Sequence, residues 1–286
     1  MMIDVQAVIA DSPNQSLLTA LTKGDLEKAL SLATEMMAND NSTPHAVVAE
    51  YFVKMVQSQG TDNTSLQNQY FEKLKGKEVI LFVAEFSRLL MALKHPNIDE
   101  HLFFTVAKWV DTLIWNIVQE IAVNSGDYPH DVIQANVWFE GAALREWCQL
   151  LADFYQEANL LEYEASVTFA KAKATLSIMS HYHHFVGPDM ISAAKCYERL
   201  GNDESAKQSY YAVIMDFKWL IDDYLKEEET EDEKDEEVFL EKEDYTSLMS
   251  LAAAYKGYFA LCSEEDEQIP NQLASVESLL KRKPPA

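Results

Sequence analysis

Residues Met190–Asp216 read MISAAKCYERLGNDESAKQSYYAVIMD, and this stretch decides the fold. Ala193, Ala194, Tyr197 and Leu200 recur at the three-and-four spacing that puts side chains on one face of an α-helix. The run ends at Gly201, which accepts the positive φ of a helix-terminating turn without a Cβ penalty. Asn202 or Asp203 can cap the following helix, whose apolar face carries Ala206, Tyr210 and Val213. Small side chains at Ala194 and Ala206 let the two helices approach closely. The stretch predicts a helix, a tight turn and a second, antiparallel helix.

The rest of the chain agrees with an all-α fold. Only 8 Gly and 8 Pro interrupt 286 residues of which 48% are hydrophobic, so long helices joined by short turns are expected. Residues 44–58, 66–93, 98–124 and 131–156 read as helices separated by SQGTDNTS, LKHPN and NSGDYPHD, segments rich in turn formers. Val79–Ala84 is apolar enough for a short buried strand. Phe82, Phe86, Leu89 and Leu90 continue the helical spacing through it, and helix is the better reading. Residues 227–244, EEETEDEKDEEVFLEKED, hold twelve carboxylates against two lysines, and their mutual repulsion predicts a flexible loop. Beyond it, Tyr245–Cys262 and Asn271–Lys281 suggest a closing helix pair, ending on the basic Lys281–Arg282–Lys283.

The 190–216 pattern resembles the tetratricopeptide repeat, with Met190, Ala193, Ala194, Tyr197, Ala206, Tyr210 and Val213 at its positions in order. Ala194 stands for the usual Gly and Val213 for the last Ala, and no proline closes the unit, because Phe217–Lys218–Trp219 carries the helix on. A second copy fits Trp147, Leu150, Leu151 and Phe154 with Ala165, Phe169 and Ala172, if the connection through Glu157–Glu162 is about two residues longer than usual. A third, partial copy places its turn at Gly24–Asp25, with Ala29, Ala33 and Met36 following and Ser16 to Leu21 as its first helix. The resemblance implies antiparallel helix pairs stacked as an α-solenoid, a right-handed superhelix. The expected organisation is an array over 1–226 with pairs near 14–38, 145–175 and 189–216, an acidic loop at 227–244, and a helix pair at 245–283 packed on the array.

A formal net charge of −24 disfavours nucleic acid and anionic lipid as partners and favours basic proteins or peptides. General solubility explains the same charge equally well. Cys148, Cys196 and Cys262 follow no metal-ligand spacing, and a sparse, odd count fits a reducing compartment. The N-terminus MMIDVQAVIADSPNQ has an early Asp and no basic segment, unlike a secretory signal. Leu102–Val123, the most apolar stretch, carries Lys108, Asp111, Asn116, Gln119 and Glu120, groups too polar for lipid. A cytoplasmic protein is expected.

His181–Tyr182–His183–His184 is the main chemical candidate, since His181 and His184 share a helix face and Asp189 can add a carboxylate to a metal. No second ligand helix accompanies it, which favours a polar helix end before a Gly187–Pro188 turn. GxSxG, GxxxxGK[ST] and GxGxxG are all missing from the sequence, and Glu140, Glu146 and Glu162 read as solvated glutamates. Trp147 reads as core, whereas Trp138 and Trp219 are interface candidates among the tryptophans. Proteins resembling tetratricopeptide arrays hold peptide segments on the first helices of their pairs. That implies a non-enzymatic scaffold without cofactor, with Ser192, Lys195, Glu198 and Arg199 as partner-contacting candidates. Two alternatives stand beside it: an acidic immunity or inhibitor protein masking a basic toxin or nuclease, and a metal-dependent hydrolase using His181 and His184.

Overall fold

The computed structural model describes residues 3–39, 43–58, 79–125, 133–178, 183–230, 241–262 and 268–281. Among them every regular element is helical and no strand occurs. Two compact units divide the chain: Met1–Pro129 with Phe139–Ala158, and His130–Trp138 with Asn159–Ala286.

The first unit holds α1 (Val5–Ala10), α2 (Gln15–Thr22), α3 (Leu26–Asn39), α4 (Pro44–Gln57), α5 (Val79–Ala92), α6 (Glu100–Ser125) and most of α7 (Ile133–Glu157). Val79–Ala84, the segment with strand-like composition, opens α5. The core is aromatic at its centre. Tyr51 stacks on Trp109 with centroids 5.5 Å apart, and Phe86 meets both rings edge-on at 5.2 and 5.7 Å. Among the described residues of this unit, one carboxylate is buried with full compensation. Glu85, 5% exposed, pairs with Arg88 at 2.6 Å and accepts hydrogen bonds from the Ser12 hydroxyl (2.7 Å) and the Asn14 amide (3.1 Å). Arg88 also donates to the Val8 carbonyl at 3.0 Å and lies over the Trp147 ring at 5.1 Å. The network pins the α1–α2 corner to α5. It also leaves Trp147 half-buried as a cation platform, where the repeat pattern suggested a core position.

The second unit contains α8 (Leu161–Ile178), α9 (His183–Arg199), α10 (Asp203–Phe217), α11 (Trp219–Thr230), α12 (Lys242–Leu261) and α13 (Gln268–Leu279). The 190–216 hairpin forms as its sequence dictates. Gly201 adopts φ +70°, and the N–H groups of Gly201 and Asn202 bond back to the Glu198 and Tyr197 carbonyls at 2.9 Å each. The Asn202 side chain caps α10 by accepting from the Ser205 N–H at 3.1 Å. Met190, Ala193, Ala194, Ala206, Tyr210 and Val213 are all buried, whereas Leu200 is exposed. Gly24 shows the same turn, with φ +71° and Asp25 N–H bonded to the Ala20 carbonyl at 3.0 Å.

Three sequence expectations need correction. The connection after α7 is only residues 158–160, with Asn159 at φ 57° in the place Gly201 takes in its own turn. The two extra residues seen in sequence lengthen the helices on either side, one each, and the turn stays short. Gly187–Pro188 is no turn either, but lies inside α9. A Cβ on Gly187 would stand 2.6 Å from Ser250 and 2.8 Å from Phe217, so glycine permits α9 to lie against α10 and α12. Pro188 forgoes one backbone bond there, and burial of Val186, Met190 and Ile191 keeps the helix in place. Finally, the acidic run is helical at both ends: α11 continues to Thr230 and Lys242 begins α12, while residues 231–240 lie outside the described residues.

The closing helix pair is an integral part of the second unit. Val213, Phe217, Leu220, Leu248, Leu251, Tyr255, Val276 and Leu279 form one core with Met190 and Tyr210. Gly257 sets the distance between α10 and α12, because a Cβ there would fall 2.3 Å from the Tyr210 ring.

Candidate functional site

The described residues among those singled out for partner or metal binding lie in the second unit, on its surface and along one polar seam. His184 is half-buried, meets the Phe185 ring at a tilt of 42° with centroids 4.0 Å apart, and approaches Glu243 of α12 at 3.7 Å. Asp189 is committed elsewhere, to Lys171 of α8 at 2.7 Å in an almost fully buried ion pair. His184 and Asp189 therefore answer to different neighbours and do not converge. His181 lies outside the described residues, and among the described ones no three His, Cys, Asp or Glu groups are placed to hold a metal ion.

The α8–α9 seam is more polar than its sequence suggests. Glu164, Thr168, Lys171 and Thr175 recur on one face of α8 and are all buried. Glu164, 6% exposed, accepts the Cys196 thiol at 3.3 Å, with the Arg199 guanidinium 3.8 Å away. Burial first, and the Glu164 charge second, push the Cys196 thiol up to about 11. It is held protonated, the reverse of what an attacking thiolate requires. The seam instead fixes α9 on α8 through directional contacts.

Of the partner-contacting candidates, Ser192 and Lys195 are exposed on α9. Glu198 and Arg199 both have structural work. The Tyr210 hydroxyl donates to Glu198 at 3.0 Å and Arg199 faces Glu164. Burial and the Glu198 carboxylate raise the Tyr210 hydroxyl far above its ordinary value, so it remains a donor. The Trp138 side chain is outside the described residues, while Trp219 is exposed with its indole N–H donating to the Asp216 carbonyl at 2.8 Å.

Sequence reasoning passed over two features. Glu146 and Glu162 are exposed, Glu140 lies outside the residues whose side chains are described, and among the described residues the buried carboxylates are Glu85 and Glu164. For Glu85 a signal existed: one acid inside VILFVAEFSRLLMA with Arg88 three residues on. The other feature is an apolar stripe on the outer face of α10, where Tyr211 and Met215 are exposed in line with Trp219. Tyr211 also meets the Tyr258 ring of α12 at a tilt of 37°, with centroids 5.9 Å apart. Spacing by four residues was the available clue.

No helix among the described residues is long and apolar enough to cross a membrane. No protein-family model matches the chain, and no curated protein shows significant similarity to it.

Proposed function

We propose that this protein is a non-enzymatic scaffold that holds a basic protein or peptide segment on a tetratricopeptide-like stack of helix pairs. The observation that carries this reading is the α9–α10 hairpin. Met190, Ala193, Ala194, Ala206, Tyr210 and Val213 of its repeat positions are buried and Tyr197 is half-buried, while Ser192 and Lys195 on α9 and Tyr211 and Met215 on α10 stay exposed. Such a unit is rigid by virtue of its interior and variable on its exterior, the division of labour expected of a repeat-type binding protein. The chain's net charge of −24 selects for cationic partners and fast association. An immunity-type protein masking a basic toxin is a special case of the same chemistry, with one tight partner in place of several.

Photo-crosslinking in the native host tests it. A crosslinkable residue placed in turn at Ser192, Lys195, Tyr211 and Met215 is expected to give discrete protein adducts from at least one face, weakened by added salt. Adducts from none of the four positions would remove the scaffold reading.

A further inference from the structure

We infer that the docking surface is the outer face of α10 running into α11, and that its occupant is a basic segment led by apolar anchor side chains. The inference rests on the protein-binding reading above and moves the contact from the first helix of the pair, α9, to the second.

Tyr211, Met215 and Trp219 are 49%, 44% and 42% exposed. Spaced four residues apart, they form one stripe along a nearly continuous helical axis. Tyr258 extends the stripe sideways. The exposure does not reflect loose packing, because Tyr210, Val213, Ile214 and Phe217 on the opposite face of α10 are buried in the core. Tyr211 leans on a second ring, and the Trp219 indole is oriented by its bond to Asp216. Preoriented Tyr and Trp beside an adaptable Met are the side chains that dominate protein interfaces.

Charge chooses the occupant. Lys207 and Lys218 share the face of the stripe with Glu204, so the apolar part carries no excess of negative charge. The sign changes after Trp219, where Asp222 and Asp223 are both exposed on α11. An apolar block followed by this acidic pair complements a segment whose Leu- or Phe-like anchors are followed by Lys or Arg. A second copy of the chain is a poor occupant, since each copy carries −24 and would bring its own acidic pair to the contact.

The test uses the full-length protein and three fluorescent sixteen-residue probes: an amphipathic Leu–Lys peptide, an oligolysine of equal charge, and the Leu–Glu counterpart. The Leu–Lys peptide is expected to bind about tenfold or more tightly than oligolysine, and the Leu–Glu peptide not at all. Tyr211→Ser/Met215→Ser/Trp219→Ser should remove that advantage while leaving helical circular dichroism unchanged. Met215→Gln, which removes an apolar anchor without adding charge, carries the same test if the triple variant fails to fold. Asp222→Lys/Asp223→Lys should weaken binding and flatten its salt dependence. Undiminished binding by the stripe variants overturns the assignment. If binding then falls on Ser192→Arg, which adds a like charge to α9, the scaffold reading survives with α9 as its face. Failure of both cationic probes removes the basic partner itself. Self-association abolished by the stripe variants would make the occupant a second copy, against the inference.

Discussion

Gly257→Ala isolates the contact that fixes how α10 lies on α12. The added Cβ would stand between 2.3 and 2.7 Å from three atoms of the Tyr210 ring. Comfortable carbon–carbon contact needs about 3.5–4.0 Å, so ring or backbone must move by roughly 1 Å. The ring has little room to move, because it is buried and its hydroxyl is held by Glu198 at 3.0 Å. Overpacking of this kind costs about 1–3 kcal/mol, against about 1 kcal/mol gained when alanine replaces a mid-helix glycine. A clash this close places the cost at the upper end, giving a net loss of about 1–2 kcal/mol. Urea unfolding followed by circular dichroism measures it, with Tyr210→Leu completing a double-mutant cycle. Tyr210→Leu removes the obstructing ring, so the two losses should fall short of additivity by at least about 0.5 kcal/mol. Gly257→Ala stabilising the protein by the full helix-propensity gain, or strict additivity in the cycle, would refute the packing of α10 on α12.

Other perturbations have equally definite outcomes. Lys171→Met strands Asp189 in the α8–α9 seam and should cost about 3–5 kcal/mol, whereas Lys171→Met/Asp189→Leu should recover most of it in the same unfolding assay. Glu85→Ala should destabilise the first unit by a similar amount, because Arg88, Ser12 and Asn14 all lose their acceptor. Cys196, raised to about 11 from an ordinary 9.0, should be alkylated by iodoacetamide at pH 8 about 100-fold more slowly than the same thiol in urea. The protonated thiol is favoured by the fold, so this contribution to stability is complete below pH 9 and lost as pH climbs through 11; Cys196→Ala should flatten that part of the pH–stability curve.

Much of the fold was legible because it is written in short-range signals. Gly201 and Asn202 announced a turn and a cap, and the structure puts φ +70° and a side-chain cap there. The helical spacing of Phe82, Phe86, Leu89 and Leu90 outweighed the strand-like composition of 79–84. Gly187–Pro188 misled for a physical reason. Locally the pair favours a turn, yet the glycine is set by contact with Phe217 and Ser250, 30 and 63 residues further along the chain. No local signal reports such a partner. The seam of Glu164, Lys171, Asp189 and Cys196 was hidden in the same way, since a charged residue on a helix looks solvated until its neighbour helix is known. The histidine cluster attracted attention by composition, but His184 and Asp189 are drawn to Glu243 and Lys171 by distant helices. The docking stripe of Tyr211, Met215 and Trp219 had visible spacing, but only the burial of Tyr210, Val213 and Phe217 shows which side of α10 faces out.

Amide hydrogen exchange on the full-length protein, with and without the Leu–Lys peptide, tests the central claim most directly. Slowed exchange concentrated on α10 and α11 around Tyr211–Asp223, with the first unit unchanged, is the predicted footprint. A footprint absent from the chain, or confined to the first unit, would contradict a helical scaffold that binds through the second.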